Sequence, residues 1–211
     1  MANSLLIKKK LGNFEKKISV SGDKSISIRW VLLASLASGV SKAQNLLISE
    51  DVLAAICAVR KLGIKVVLKN KFCKIFGNGI DGFNYKKNLT IDAQNSGTLS
   101  RLILGFLVNA SNPIKLVGDQ SLSKRDFKRV SDPLSKFGAI LKLKNKKNLP
   151  LIISGTTKLK PISYFEKKGS AQCKSSIIFA GLRTNGTTII KAKKSRNHTE
   201  LMCKYLSCPS L

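Results

Sequence analysis

Between residues 22 and 39 the chain reads GDKSISIRWVLLASLASG. Lys24, Ser25, Ser27 and Arg29 crowd the start, and Trp30–Leu36, apolar except for Ser35, follows directly. A buried helix with a polar mouth fits this pattern. The mouth would hold unpaired backbone N–H groups and the positive end of the helix dipole, which together favour anions, phosphate above all.

The pattern returns twice. AQNSGTLSRLILGFLVNASN begins at Ala93, and GSAQCKSSIIFAGLRTNG begins at Gly169. Each apolar helix is followed by a short strand, a polar turn and a second helix. The second helices end in KLG at Lys61, KFG at Lys136 and KYL at Lys204. Paired β-rich runs follow the first two, IKVVLKN with KFCKIFGN and AILKLKN with LPLIISG. Short runs such as LTIDA and TTIIKA read as strands, and DVLAAICAVRKLG has the i, i+3, i+4, i+7 spacing of an amphipathic helix.

The expected fold is α/β (α+β): three β-α-β-α-β-β units around a pseudo-threefold, the third truncated after KYL. Ser49 and Ser131-Asp132-Pro133 are the expected starts of second helices, and Gly63 and Gly138 the stops.

The 211 residues suffice for one large domain or two small ones with a real core, and 43% hydrophobic content argues against disorder. No run is long enough to span a bilayer, and the N-terminus lacks a signal-peptide pattern. Five cysteines without metal-type spacing read as reduced thiols, so a cytoplasmic location is expected.

The net charge of +27 raises nucleic acid as a partner. The charge is spread along the chain and is mostly lysine, and the aromatics are not interleaved with it in sequence. No zinc-finger, RNP or KH pattern is present, so nucleic acid is not the expected partner. Four of the seven arginines, Arg29, Arg101, Arg125 and Arg196, instead fall in the polar clusters and the loops that join them, where a planar fork suits carboxylate or phosphate.

Those clusters are Lys24-Ser25 with Arg29, Gln94–Thr98 with Arg101, and Ser170–Gln172 with Lys174. Taken singly, each is an ordinary set of N-caps, and Arg29 alone an ordinary surface ion pair. Taken together, three mouths in register, with Arg125 and Arg196 in the loops SLSKRDFKR and KKSRNHTE, suggest one convergent anion site.

GDKSISIR, NLLISEDV, NSGTLSRL, GDQSLSKRDFKRV, GSAQCKSSIIFAGL and SRNHTELM resemble the successive motifs of the EPSP synthase family, in order, from about Ile18 to Leu206. The resemblance implies two lobes of three such units with the active site between them. Residues 18–211 would be the first lobe, incomplete at its C-terminal end. Residues 1–17 would hold a strand, about Leu5 to Lys10, belonging to the second lobe.

It implies transfer of the enolpyruvyl group of phosphoenolpyruvate to shikimate 3-phosphate, with no metal or organic cofactor, by an enzyme monomeric when complete. Lys24 would touch both substrates and serve catalysis. Ser25 and Arg29 would hold shikimate 3-phosphate. Asn95, Gly97 and Thr98 would wall the phosphoenolpyruvate pocket, and Arg125 would grip its phosphate. Ser170, Ala171 and Gln172, helped by Ser195 and Arg196, would hold the phosphate and ring of shikimate 3-phosphate. His198, the only histidine, is expected at the start of the last helix rather than in catalysis.

Departures from the family pattern are Ile28 and Trp30 beside Arg29, Asn197 for a common aspartate, and Asp126 for a usual proline, where a carboxylate would pair with Arg125. Two alternatives stand beside this reading. One is a non-catalytic basic module binding phosphate or nucleic acid, marked by steep salt dependence. The other is the sibling UDP-N-acetylglucosamine enolpyruvyl transferase family, which Ser25 and the cysteine-free loop GDQSLSKRD oppose.

Overall fold

The computed structural model describes residues 6–10, 12, 15 and 17–208. The first stretch runs α1 (Lys24–Leu36), β1 (Ser38–Ala43), α2 (Glu50–Lys61), β2 (Lys65–Lys69) and β3 (Phe72–Asn78). The second runs β4 (Thr90–Asp92), α3 (Gly97–Phe106), β5 (Ile114–Val117), the short α4 (Gln120–Ser123), α5 (Lys128–Lys136), β6 (Ile140–Lys144) and β7 (Asn148–Ser154). The third runs β8 (Ser163–Glu166), α6 (Ala171–Gly181), β9 (Ile189–Ala192) and α7 (His198–Tyr205).

Only the second stretch shows the full expected order, with α4 inserted. Among the described residues the first has no strand before α1, where Ile18 and Val20 stand exposed. Leu6–Lys10 carries no regular secondary structure. Leu5, at the edge of the strand expected there, lies outside the described residues, as do 1–4, 11, 13, 14 and 16.

Among the described residues three sheets result, ordered β1-β3-β2, β4-β5-β7-β6 and β8-β9. The β4–β5 and β8–β9 pairs are parallel, because α3 and α6 carry the chain back between them. The remaining pairs are antiparallel, hairpin strands among them.

The first helix of each stretch lies in the core. α3 is buried at nine of its ten positions, so it needs no polar stripe. α3 and α6 touch at backbone distance: a Cβ on Gly105 would lie 2.1 Å from the Ser176 carbonyl oxygen. Ser176 Oγ donates to the Arg101 carbonyl at 2.9 Å, and the Phe106 and Phe179 ring centroids are 4.3 Å apart.

The far end of this bundle is clasped by polar groups from all three stretches. Arg183, after α6, donates to Asp81 at 3.4 Å, Asn109, after α3, donates to the same carboxylate oxygen at 2.9 Å, and Arg183 lies over Phe83.

One helix start differs from expectation. α5 begins at Lys128 and runs through Ser131-Asp132-Pro133, with Pro133 inside it. Asp126 accepts from the Lys128 N–H at 2.7 Å, a local signal that outcompetes the later Ser-Asp-Pro. Pro133 has no N–H for the Arg129 carbonyl. The Cys173 thiol donates to that carbonyl instead, at 3.0 Å, and so ties α6 to α5.

At α2, Ser49 occupies the cap position, but its buried hydroxyl makes no bond. Glu50 and Asp51 supply the negative charge that the helix start favours. Gly63 and Gly138 end their helices at φ +88° and +107°, a region that favours glycine.

Aromatics and lysines pair in space. Lys65 lies over the Phe76 ring at 5.0 Å, Lys74 over Phe72 at 5.6 Å, and Lys136 over Tyr164 at 5.6 Å. The β2–β3 register sets Lys65 opposite Phe76, whereas Lys74 and Phe72 stand two apart on one face of β3. The lysine stems thereby cover rings the sheet leaves half-exposed.

Candidate functional site

The three mouths are built by three caps. Asp23 accepts from Ile26 N at 2.7 Å at α1, Ser96 from Leu99 N at 3.3 Å at α3, and Ser170 from Cys173 N at 3.2 Å at α6. Ser170 thus accepts within its own helix, while its hydroxyl hydrogen stays free to donate outward. Its backbone N–H is held by Glu166 at 2.7 Å.

Side chains join the mouths. Arg101 of α3 donates through Nη1 to Gln172 Oε1 of α6 at 2.8 Å, and Gln172 Nε2 donates back to Thr98 Oγ1 at 3.1 Å. Arg29 of α1 donates to Ser25 O at 3.0 Å, to Ser175 Oγ of α6 at 3.0 Å, and through Nε to Thr199 Oγ1 of α7 at 2.7 Å. Lys24 pairs with Asp51 of α2 at 3.0 Å. Bonds of this reach are possible only if the starts of α1, α3 and α6 lie on one side of the bundle.

Cations dominate there. Arg29 is 3% exposed and has no carboxylate partner, so it is not a surface ion pair. Burial and the nearby Arg196 lower its pKa, with Glu200 and Asp23 acting in the opposite sense. Arg101, lying over the Phe127 ring, is pushed down to about 10 by burial and then by Arg129 and Arg125. Groups strained in this direction gain from an incoming anion.

At Asp51, burial works against the carboxylate, but hydrogen bonding from the Ser96 hydroxyl and from Lys24 outweighs it and lowers the pKa.

Arg125 donates through Nη2 to Asn95 Oδ1 at 3.2 Å, and Asn95 Nδ2 donates in turn to Asp119, the cap of α4. Asp126 does not take Arg125, because it is turned to the start of α5. A Cβ on Gly97 would meet Arg125 Nη1 at 2.8 Å and Arg101 Nη1 at 3.0 Å. Glycine there lets two guanidiniums flank the mouth of α3.

Ser195 and Arg196 lie in the loop between β9 and α7, the Ser195 hydroxyl buried without a partner. His198 is the first residue of α7. Lys174 is nearly buried and paired with Glu200. Ile28 is fully buried in the core, and Trp30 is half-buried against it.

Three partners were not singled out as site residues in the sequence: Thr199, Ser175 and Asp51. Nothing in sequence marks Ser175, a serine inside an apolar helix.

Among the described residues, no helix is long and apolar enough to cross a membrane. Residues 8–209 match the family model for EPSP synthase (3-phosphoshikimate 1-carboxyvinyltransferase). A 3-phosphoshikimate 1-carboxyvinyltransferase of Streptococcus mutans is 42% identical over 189 residues, 89% of this chain and 44% of the relative. The protein of that name from Sulfurihydrogenibium sp. is 44% identical over 196 residues, 92% of this chain and 45% of the relative. The EPSP synthase structure from Acinetobacter baumannii superposes with a TM-score of 0.84 at 35% identity, covering 90% of this chain and 43% of that one. The chain therefore spans less than half the length of the curated relatives it matches.

Proposed function

Because this chain belongs to the EPSP synthase family, we propose that it carries the shikimate 3-phosphate subsite, and part of the phosphoenolpyruvate subsite, of an enolpyruvyl transferase acting in aromatic amino acid biosynthesis. In that reaction a hydroxyl oxygen of shikimate 3-phosphate gives up its proton and bonds to the enol carbon of phosphoenolpyruvate, while the methylene carbon takes a proton as the double bond opens. The tetrahedral intermediate then loses phosphate from the former enol carbon and a proton from the resulting methyl group to give EPSP.

The observation that carries this reading is the set of guanidiniums without carboxylate partners. Arg29, Arg101 and Arg125 hydrogen-bond only neutral oxygens around joined helix mouths. Two highly charged anions must lie side by side in this reaction, and fixed cations offset their repulsion.

In this arrangement Arg29 takes the carboxylate of shikimate 3-phosphate, with Ser25 beside it. Ser170, Gln172, the Ala171 N–H, Ser195 and Arg196 take its phosphate and ring. Arg125, with Asn95, Gly97 and Thr98, takes phosphoenolpyruvate. Lys24 stands about half exposed on its Asp51 tether, where it can reach both substrates and handle charge or a proton.

The acidic groups of the reaction come from a second lobe of the same enzyme, and the completed protein is a cytoplasmic monomer. Alone, this chain binds shikimate 3-phosphate weakly and does not turn over.

The test is calorimetric titration of the 211-residue chain with shikimate 3-phosphate, beside Arg29→Ala and inorganic phosphate. Saturable binding that needs the shikimate ring and drops in the variant supports the reading. Binding of plain phosphate with equal affinity overturns it in favour of a general anion module.

A further inference from the structure

Arg29 and Lys174 are both buried cations beside the start of α7, yet they are held in opposite ways. Lys174 is neutralised by Glu200. Arg29 is held by two hydroxyls and a backbone carbonyl, none of which cancels its charge. Thr199, which holds Arg29, directly precedes Glu200 in α7 and is fully buried.

The direction of the hydrogen bonds follows from counting hydrogens. Ser175 Oγ spends its hydrogen on the Ala171 carbonyl at 2.6 Å. The 2.6 Å contact between Ser175 Oγ and Thr199 Oγ1 must then be donated by Thr199. Thr199 Oγ1 is left as an acceptor for Arg29 Nε–H, and Ser175 Oγ for Arg29 Nη2–H. The relay runs from Arg29 through Thr199 and Ser175 into the first turn of α6. Each hydroxyl both donates and accepts, and the guanidinium keeps N–H groups and its full charge for a ligand.

We propose that Thr199 is the positioning residue for Arg29: it fixes the guanidinium plane from the α7 side without neutralising it, and so presents an uncompensated fork to the ligand's carboxylate. This rests on the function proposed above. A carboxylate in place of the hydroxyl would hold Arg29 as firmly but cancel the charge the ligand needs. Hydrogen bonding and charge are thereby separable, which a purely structural threonine would not allow.

The experiment uses the 211-residue chain with Thr199→Val, Thr199→Ser and Thr199→Asp. Shikimate 3-phosphate affinity, Tm and the NMR exchange rate of the Arg29 Nε–H are read for each. Valine should cost about tenfold in affinity, the loss of one hydrogen bond to a charged group, and speed Nε–H exchange. Serine should restore both.

Aspartate should keep the Nε–H protected and Tm unchanged or raised, while binding falls further than with valine. Affinity that simply follows Tm across the series overturns the proposal, as does wild-type affinity in Thr199→Val. If the wild-type chain binds no shikimate 3-phosphate, the function reading is what fails. The positioning role is then decided by the Nε–H exchange: unchanged exchange in Thr199→Val refutes it, and faster exchange restored by serine upholds it.

Discussion

Gly97 and Arg125 share a space that admits only one of them plus a hydrogen atom: a Cβ at position 97 would lie 2.8 Å from Arg125 Nη1. The neighbour that must give way is the tip of a flexible side chain, so Gly97→Ala should leave folding nearly intact and move the guanidinium. The expected outcome is about a tenfold loss of phosphoenolpyruvate affinity in a completed two-lobe enzyme, with Tm little changed. Unchanged affinity would mean that Arg125 does not grip that substrate.

Gly105→Ala should behave in the opposite way. Its added carbon would meet the Ser176 carbonyl at 2.1 Å, backbone against backbone, and neither helix can yield alone. A destabilisation of about 3 kcal/mol is expected from overpacking. Urea unfolding measures it, and a loss below about 1 kcal/mol would show that α3 and α6 can slide apart.

Cys173 ties folding to alkaline pH. Burial, followed by Glu166, pushes its thiol from an ordinary value of 9.0 up to about 11, against smaller opposing effects of Arg129 and Arg101. The unfolded chain loses this proton near pH 9 and the folded chain near 11, so the folded state binds more protons in between. The stability contribution is complete below pH 9 and drains away as pH rises towards 11. Cys173→Ser should flatten that decline while keeping a donor for the Arg129 carbonyl. An identical pH–stability slope in the variant would contradict the assignment.

Arg183 shows how a buried charge can be present without being stabilising. Its side chain is 3% exposed, its Nε and Nη1 lack partners, and its one ion pair is to the exposed Asp81. Replacing such a group by an apolar one of similar length removes a desolvation cost. Arg183→Met should therefore be neutral or raise Tm, and a clear loss would show that the clasp with Asp81 and Asn109 is worth more than the burial it demands.

The sequence made legible whatever depends on local chemistry. The polar mouths of α1, α3 and α6, the amphipathic α2, and the stops at Gly63 and Gly138 could all be read from neighbouring residues. The start of α5 is misplaced from sequence because Ser131-Asp132-Pro133 is a good cap in isolation, while the helix starts at Lys128, whose N–H is taken by Asp126. The partners of Arg29 were invisible for a different reason. Ser175 and Thr199 are 146 and 170 residues away, and their role exists only once α1, α6 and α7 are packed together.

With nine of its ten positions enclosed, α3 has almost no residue that can vary for one purpose alone. A change near its first turn is also a change in the load-carrying centre of the molecule, and the same holds to a lesser degree for α1 and α6. Adaptation to a new ligand or inhibitor has more freedom in the connecting segments, the loop 124–127 after α4 and the loop 193–197. There, Arg125 and Arg196 can be re-aimed without disturbing the central helices.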